Sequence, residues 1–150
     1  MMSKFRKAFT MIELVFVIVV LGILSAIAIP KFAATRVDAQ ISSAKATISS
    51  VRSGIVSARQ RFLLQGESDY ITKLSQNATT LFDGNGTAGY ELLMYPINAS
   101  TENGHWSGNT NGLTYTFHVQ GQSCTFTYTP ANGKFTMNAN QNIICDPLRF

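Results

Sequence analysis

From Phe9 to Ile29 the chain is apolar except at Thr10, Glu13, Gly22 and Ser25, and that run limits what the sequence can build. As a helix rising about 1.5 Å per residue it reaches roughly 30 Å, the thickness of a bilayer's hydrocarbon core. The predicted element is a membrane-spanning helix. A carboxylate inside such a segment costs on the order of 2.5 to 3.5 kcal/mol, less near an end, so Glu13 marks a functional position and requires a cationic partner. Lys4, Arg6 and Lys7 precede the run, and flanking positive charge stays cytoplasmic. The C-terminal bulk is therefore expected outside the membrane.

Cleavage between Ala8 and Phe9 would create the missing cation, because the new Phe9 amine would lie one helical turn from Glu13. A neighbouring copy could present the same amine at similar depth. The stretch Lys7-Ala8-Phe9-Thr10-Met11-Ile12-Glu13-Leu14, followed by an apolar helix, resembles the processing and assembly signal of type IV pilins and type II secretion pseudopilins. The resemblance runs from Lys4 to about Phe62. It implies a prepilin peptidase that cuts before Phe9, N-methylation of Phe9, and Glu13 as the residue that guides each subunit into a growing filament. Pro30 falls where such proteins commonly carry a helix-bending proline, and Ala8 stands where they usually have glycine. The implied partners are other copies of the chain in a homo-oligomeric filament, inner-membrane pilus or secretion machinery, and membrane lipid before assembly.

Two other readings share the same N-terminus. An ordinary secretory signal would use the basic leader and be cut near Ala26-Ile27-Ala28, but its apolar region is normally about 7 to 15 residues and lacks a carboxylate such as Glu13. An uncleaved signal anchor keeps the same orientation. Mature chains would begin at Phe9, near Ile29, or at Met1 or Met2 respectively.

Charge gives little support to a nucleic-acid partner. Twelve Lys and Arg face eight Asp and Glu; loss of Lys4, Arg6 and Lys7 with the leader leaves nine basic residues and a side-chain balance of plus one. DNA uptake remains a third reading, resting on Lys45, Arg52 and Arg59 as a cationic surface.

Beyond Pro30 the pattern becomes periodic. Val37, Ile41, Ala44, Ile48, Val51, Ile55, Ala58 and Phe62 step by alternating fours and threes, one stripe on a helix. No glycine or proline cluster separates this stretch from the membrane segment, so a single helix is expected from about Phe9 to Leu64. Pro30 lacks an amide donor and clashes with the Ala26 carbonyl, which predicts a bend and a weak point between Gly22 and Pro30. The family resemblance adds local melting there on assembly. The stripe can serve packing under the chain's own sheet or packing between subunits. Lys31, Asp38, Lys45, Arg52 and Arg59 recur every seven residues, as a solvated face or as partners for Glu67, Asp69 or Glu91 on a neighbour.

After Gly66, strand signals appear at Tyr90–Met94, Leu113–Val119, Cys124–Tyr128 and Lys134–Met137, with turns at Gly121-Gln122 and Pro130 to Gly133. Residues 66–89 read as a connection and 96–112 as an exposed loop. The fold class is α+β, pilin-like: a long N-terminal helix, its first half membrane-spanning and protruding, laid across a small antiparallel sheet. Residues 1–8 are the expected leader, 9–30 the transmembrane and assembly half-helix, and 31–150 the periplasmic or extracellular head.

Cys124 and Cys145 lie in the part placed outside, where oxidation is permitted, and a disulfide is expected. Two thiols without spaced histidines do not complete a metal set. In many pilins a disulfide near the C-terminus encloses an exposed region, whereas major pseudopilins tend to use calcium there, and their acidic cluster is missing around Asp146. Asp83-Gly84-Asn85-Gly86-Thr87 reads as a glycine-rich turn or as a glycosylation acceptor at Asn85. His105 and His118 sit in no catalytic pattern, and no phosphate loop or nucleophile elbow is present. No enzymatic activity and no cofactor are expected. The function expected is that of a pilin of a type IV pilus-like filament. The alternatives are a pseudopilin of a type II secretion system and a minor pilin of a DNA-uptake filament.

Overall fold

The computed structural model describes residues 9–84, 91–139 and 142–150. One helix, α1, runs Met11–Leu64 through Pro30 without a break in its assignment. The chain divides into two units after Arg36. In the first, every large apolar side chain of α1 is solvent-exposed.

The second unit is built around the eight-residue stripe. Ala44, Ile48, Val51, Ile55 and Ala58 are buried, and Val37, Ile41 and Phe62 are partly buried against the same core. Their three-and-four spacing puts them on one side of α1, and burial there supplies the stability that helix propensity alone does not. The stripe thus packs within the chain's own head, the first of its two expected uses.

Opposite it stands a four-stranded antiparallel meander of β3 (Trp106–Gly108), β4 (Thr114–Val119), β5 (Gln122–Thr129) and β6 (Lys134–Met137), in that spatial order. Two shorter strands, β1 (Thr80–Leu81) and β2 (Ile97–Asn98), pair antiparallel with each other. Strand alternation turns Tyr115, Phe117 and Val119, then Cys124, Phe126 and Tyr128, into the core with Trp106 and Phe135. Aromatic rings fill the space between helix and sheet: Phe82 stacks on Tyr115 at 4.5 Å and Trp106 lies 5.2 Å from Phe117. This is the expected α+β architecture.

The loops between helix and sheet depart from expectation. Glu91 to Met94 form no strand, and Tyr90 lies outside the described residues. Leu92 instead buries itself on α1, so close to Gly54 that a Cβ built there would lie 2.5 Å from the Leu92 carbonyl oxygen. Residues 96–112, read as exposed loop, contain β2 and β3. These strands are two and three residues long, too short for alternation to register.

Gly54 carries a prediction whose sign opposes helix propensity. Alanine in a helix interior is better than glycine by about 1 kcal/mol, yet the new methyl must displace main chain at Leu92, and overpacking of this kind costs about 1 to 3 kcal/mol or more. Gly54→Ala is expected to lower the denaturation midpoint of the head. A rise in midpoint would show that the loop yields freely.

A buried polar node secures the 66–84 connection. Ser75 Oγ accepts from the Phe82 amide at 2.8 Å and bonds Tyr115 OH at 2.7 Å, and Tyr115 OH donates to the Gly112 carbonyl at 2.9 Å. Desolvation raises the Tyr115 pKa, so the phenol stays protonated and keeps donating. The node holds Phe82 at φ +62°, a left-handed conformation unusual for a bulky residue. Ser75→Ala strands the buried Phe82 amide and is expected to cost about 1 to 3 kcal/mol, measured by chemical denaturation.

Candidate functional site

The N-terminal turn of α1 is built by Thr10. Its hydroxyl accepts from the Glu13 amide at 3.3 Å, and its carbonyl accepts from the Leu14 amide at 3.2 Å. Thr10 is therefore the N-cap and Glu13 the third helical residue, the spacing of a capping box. This role is legible in Thr10-x-x-Glu13, although the carboxylate's need for a cation is the more conspicuous signal in the same residues. An acid in the first turn is also favoured by the helix dipole. The Glu13 side chain has no hydrogen bond or ion pair among the described residues.

Beyond Glu13 the first part of α1 is apolar on all sides and uncovered. Phe9 is 78% exposed, Phe16 67% and Leu24 57%, and an 18-residue window of α1 is long and apolar enough to cross a membrane with none of it buried. So large a continuous apolar surface requires lipid or protein against it. A Cβ built at Gly22 meets nothing within 4 Å, so packing inside the chain gives no reason for glycine there. Pro30 stands within the continuous helix. Ala8 and Asn85, named as processing and glycosylation positions, lie outside the described residues.

The cysteines meet as expected. Cys124 on β5 and Cys145 form a disulfide with Cα atoms 5.6 Å apart. Cys145 sits in a 3-10 turn, Ile143–Leu148, whose start is capped by Asn142 accepting from the Ile144 amide at 3.2 Å.

Two members of the charged stripe do more than face solvent. Arg52 donates to the Phe135 carbonyl at 3.1 Å and to the main-chain oxygen of Phe150 at 2.7 Å, with its guanidinium 4.9 Å from the Phe150 ring. Arg59 donates to the Ser68 carbonyl at 2.6 Å and stacks 3.8 Å over Tyr70. Both fasten chain segments of the head to α1. This replaces the purely solvated face expected at those positions.

His118 Nε2 lies 2.8 Å from Ser107 Oγ. Its Nδ1 faces Ser123 Oγ at 3.4 Å rather than a carboxylate, so the orienting acid of a nucleophilic triad is absent at that nitrogen. Burial lowers the His118 pKa and keeps the ring neutral.

A capped, uncovered apolar helix with one acid near its start, continuing into an α+β head with a disulfide, defines the class of pilin-type structural subunits. Residues 3–29 match the family described as "Prokaryotic N-terminal methylation motif". The chain is 30% identical over 112 residues to the "Type IV major fimbrial protein FimA" of Dichelobacter nodosus, covering 67% of this chain and 69% of that protein. Two proteins called "Fimbrial protein" from Pseudomonas aeruginosa are each 33% identical over 87 residues, covering 55% of this chain and 56% of theirs. No solved structure gives a significant match. The chain belongs to the type IV pilin family, whose matched members are named as fimbrial, structural proteins.

Proposed function

We propose that the chain enters the inner membrane through residues 9–30, loses residues 1–8 to a prepilin peptidase, and polymerises into an extracellular filament through the apolar start of α1. The observation that carries this reading is the uncovered apolar surface from Phe9 to Ile29. Lipid covers it before assembly, and the same segment of neighbouring subunits covers it afterwards. Phe9 becomes the N-methylated terminus, and its ammonium neutralises Glu13. Gly22 and Pro30 supply a soft stretch of backbone where the helix can yield as subunits pack. The head, residues 31–150, faces outward.

The pseudopilin reading predicts a short periplasmic filament with the same assembly chemistry. The fimbrial names of the relatives and the Cys124–Cys145 bridge favour a surface pilus. Imaging cells for long fibres and sequencing the N-terminus of the fibre protein tests the proposal. Fibres whose subunit begins at N-methylated Phe9 support it; a mature chain starting near Ile29 or at Met1 overturns it. The same intact mass reports whether Asn85 carries a glycan.

A further inference from the structure

The outward face of the four-stranded sheet carries chemistry that assembly through α1 does not use. With the core residues of β4 and β5 turned inward, the residues between them turn away from the helix. The strand register then aligns Thr114, Thr127 and Thr136 in one row across three strands, and Ser107, Thr116 and Thr125 in the next. Strand geometry sets about 4.8 Å between neighbours within a row and about 6.7 Å between rows. Threonine suits strands because of its branched Cβ, so its frequency alone is fold chemistry. What distinguishes this face is what it lacks: among the described residues that alternate outward from these strands, Lys134 at the β6 edge is the one charged side chain, and none is aromatic or long aliphatic.

That composition narrows the partner. A protein interface relies on aromatic or Arg anchors seated in pockets, and a polyanion requires clustered Lys and Arg. Neither is available on these rows. A threonine hydroxyl offers one donor and two acceptor sites. Thr127 donates to Asn138 Oδ1 at 2.7 Å, and the Thr116 and Thr125 hydroxyls face each other at 3.5 Å; these single contacts leave acceptor capacity directed outward. The chemistry that matches a flat, uncharged hydroxyl array is another uncharged hydroxyl array.

We propose that this sheet face is an adhesive surface for an uncharged polysaccharide. The proposal rests on the filament reading, because hydroxyl contacts compete with water and one copy binds weakly, whereas a polymer of identical subunits multiplies them.

The test uses assembled fibres, verified by electron microscopy, sedimented with microcrystalline cellulose as the neutral probe and with cross-linked carboxymethyl cellulose as its charged counterpart. A triple variant, Thr116→Val, Thr125→Val and Thr127→Val, removes three hydroxyls while keeping side-chain shape and strand preference. Parent fibres are expected to pellet with the neutral probe. The variant should form equal fibres with an unchanged melting midpoint and lose binding by about tenfold or more. Equal retention of the variant overturns the proposal, as does preference for the carboxymethylated probe. Pelleting without any polysaccharide also overturns it, because a second copy of the chain would then be the occupant. If no fibres form, the filament reading fails by itself; full-length chain in detergent micelles, coupled densely to beads, then takes the same comparison, and the same outcomes decide the face.

Discussion

Replacing Glu13 by glutamine is expected to abolish fibres while leaving the head as stable as the parent. Glutamine keeps the size and helix preference of glutamate and removes only the charge. Two roles compete for this residue, and the substitution separates them. A capping box accepts glutamine as readily as glutamate at its third position, so if Glu13 served only the cap built by Thr10, Glu13→Gln would assemble normally. If the carboxylate neutralises an α-ammonium at the edge of an apolar bundle, its loss leaves that ammonium uncompensated. A charge in such surroundings costs about 2 to 3 kcal/mol, and each 1.4 kcal/mol is a factor of ten. Subunit addition should therefore fall by roughly 30- to 100-fold. The Glu13 carboxylate has no partner among the described residues, so nothing inside the chain is lost with it. Counting fibres per cell against the membrane pool of subunit measures the effect. Normal fibre numbers would end the electrostatic account of assembly.

How much of the fold is readable in the sequence depends on the length of each pattern. The stripe from Val37 to Phe62 repeats over seven turns, and each of its eight positions reaches the core. β6 is legible to its end residues because turn chemistry at Pro130 to Gly133 and alternation through Phe135 agree. By contrast β1, β2 and β3 hold two or three residues; each is fixed by a partner distant in sequence, so local pattern carries no trace of it. The segment from Glu91 to Met94 shows the opposite error. Its apolar residues suggest a strand, but Leu92 satisfies them by seating on Gly54 of α1, a tertiary contact that overrides strand preference. At the candidate assembly segment the apolar run, Glu13 and Pro30 are plain. Thr10 is plain too as a residue, but its cap is a local device that the charge of Glu13 overshadows. Arg52 and Arg59 look like solvated charges because a seven-residue repeat says nothing of the chain segments that return to meet it.

The Cys124–Cys145 bridge yields the second large effect. It closes a loop with a sequence separation of 21 residues, and the chain-entropy estimate for that size is about 3 kcal/mol, more than a hundredfold in the folding equilibrium. Without it, the turn Ile143–Leu148 is held by burial of Leu148 and by Arg52, which bonds and stacks on Phe150. A net hydrogen bond contributes about 1 kcal/mol and an exposed cation–π contact about 0.5 to 1 kcal/mol, so Arg52 replaces only part of the loss. The paired variant Cys124→Ala with Cys145→Ala is expected to lower head stability by about 3 kcal/mol, read from denaturant melts. The parent in reductant should behave the same way. Arg52 also ties the Phe135 carbonyl, so Arg52→Gln destabilises in both backgrounds, but by different amounts. While the bridge stands, residues 146–150 are anchored near α1 whether or not Arg52 holds them. Once it is gone, Arg52 is one of the few ties left, and its removal no longer adds independently. A double-mutant cycle over the bridge and Arg52 should show a coupling of at least about 0.5 kcal/mol. Strict additivity would mean that the two ties stabilise separate parts of the head, and that Arg52 acts through Phe135 alone.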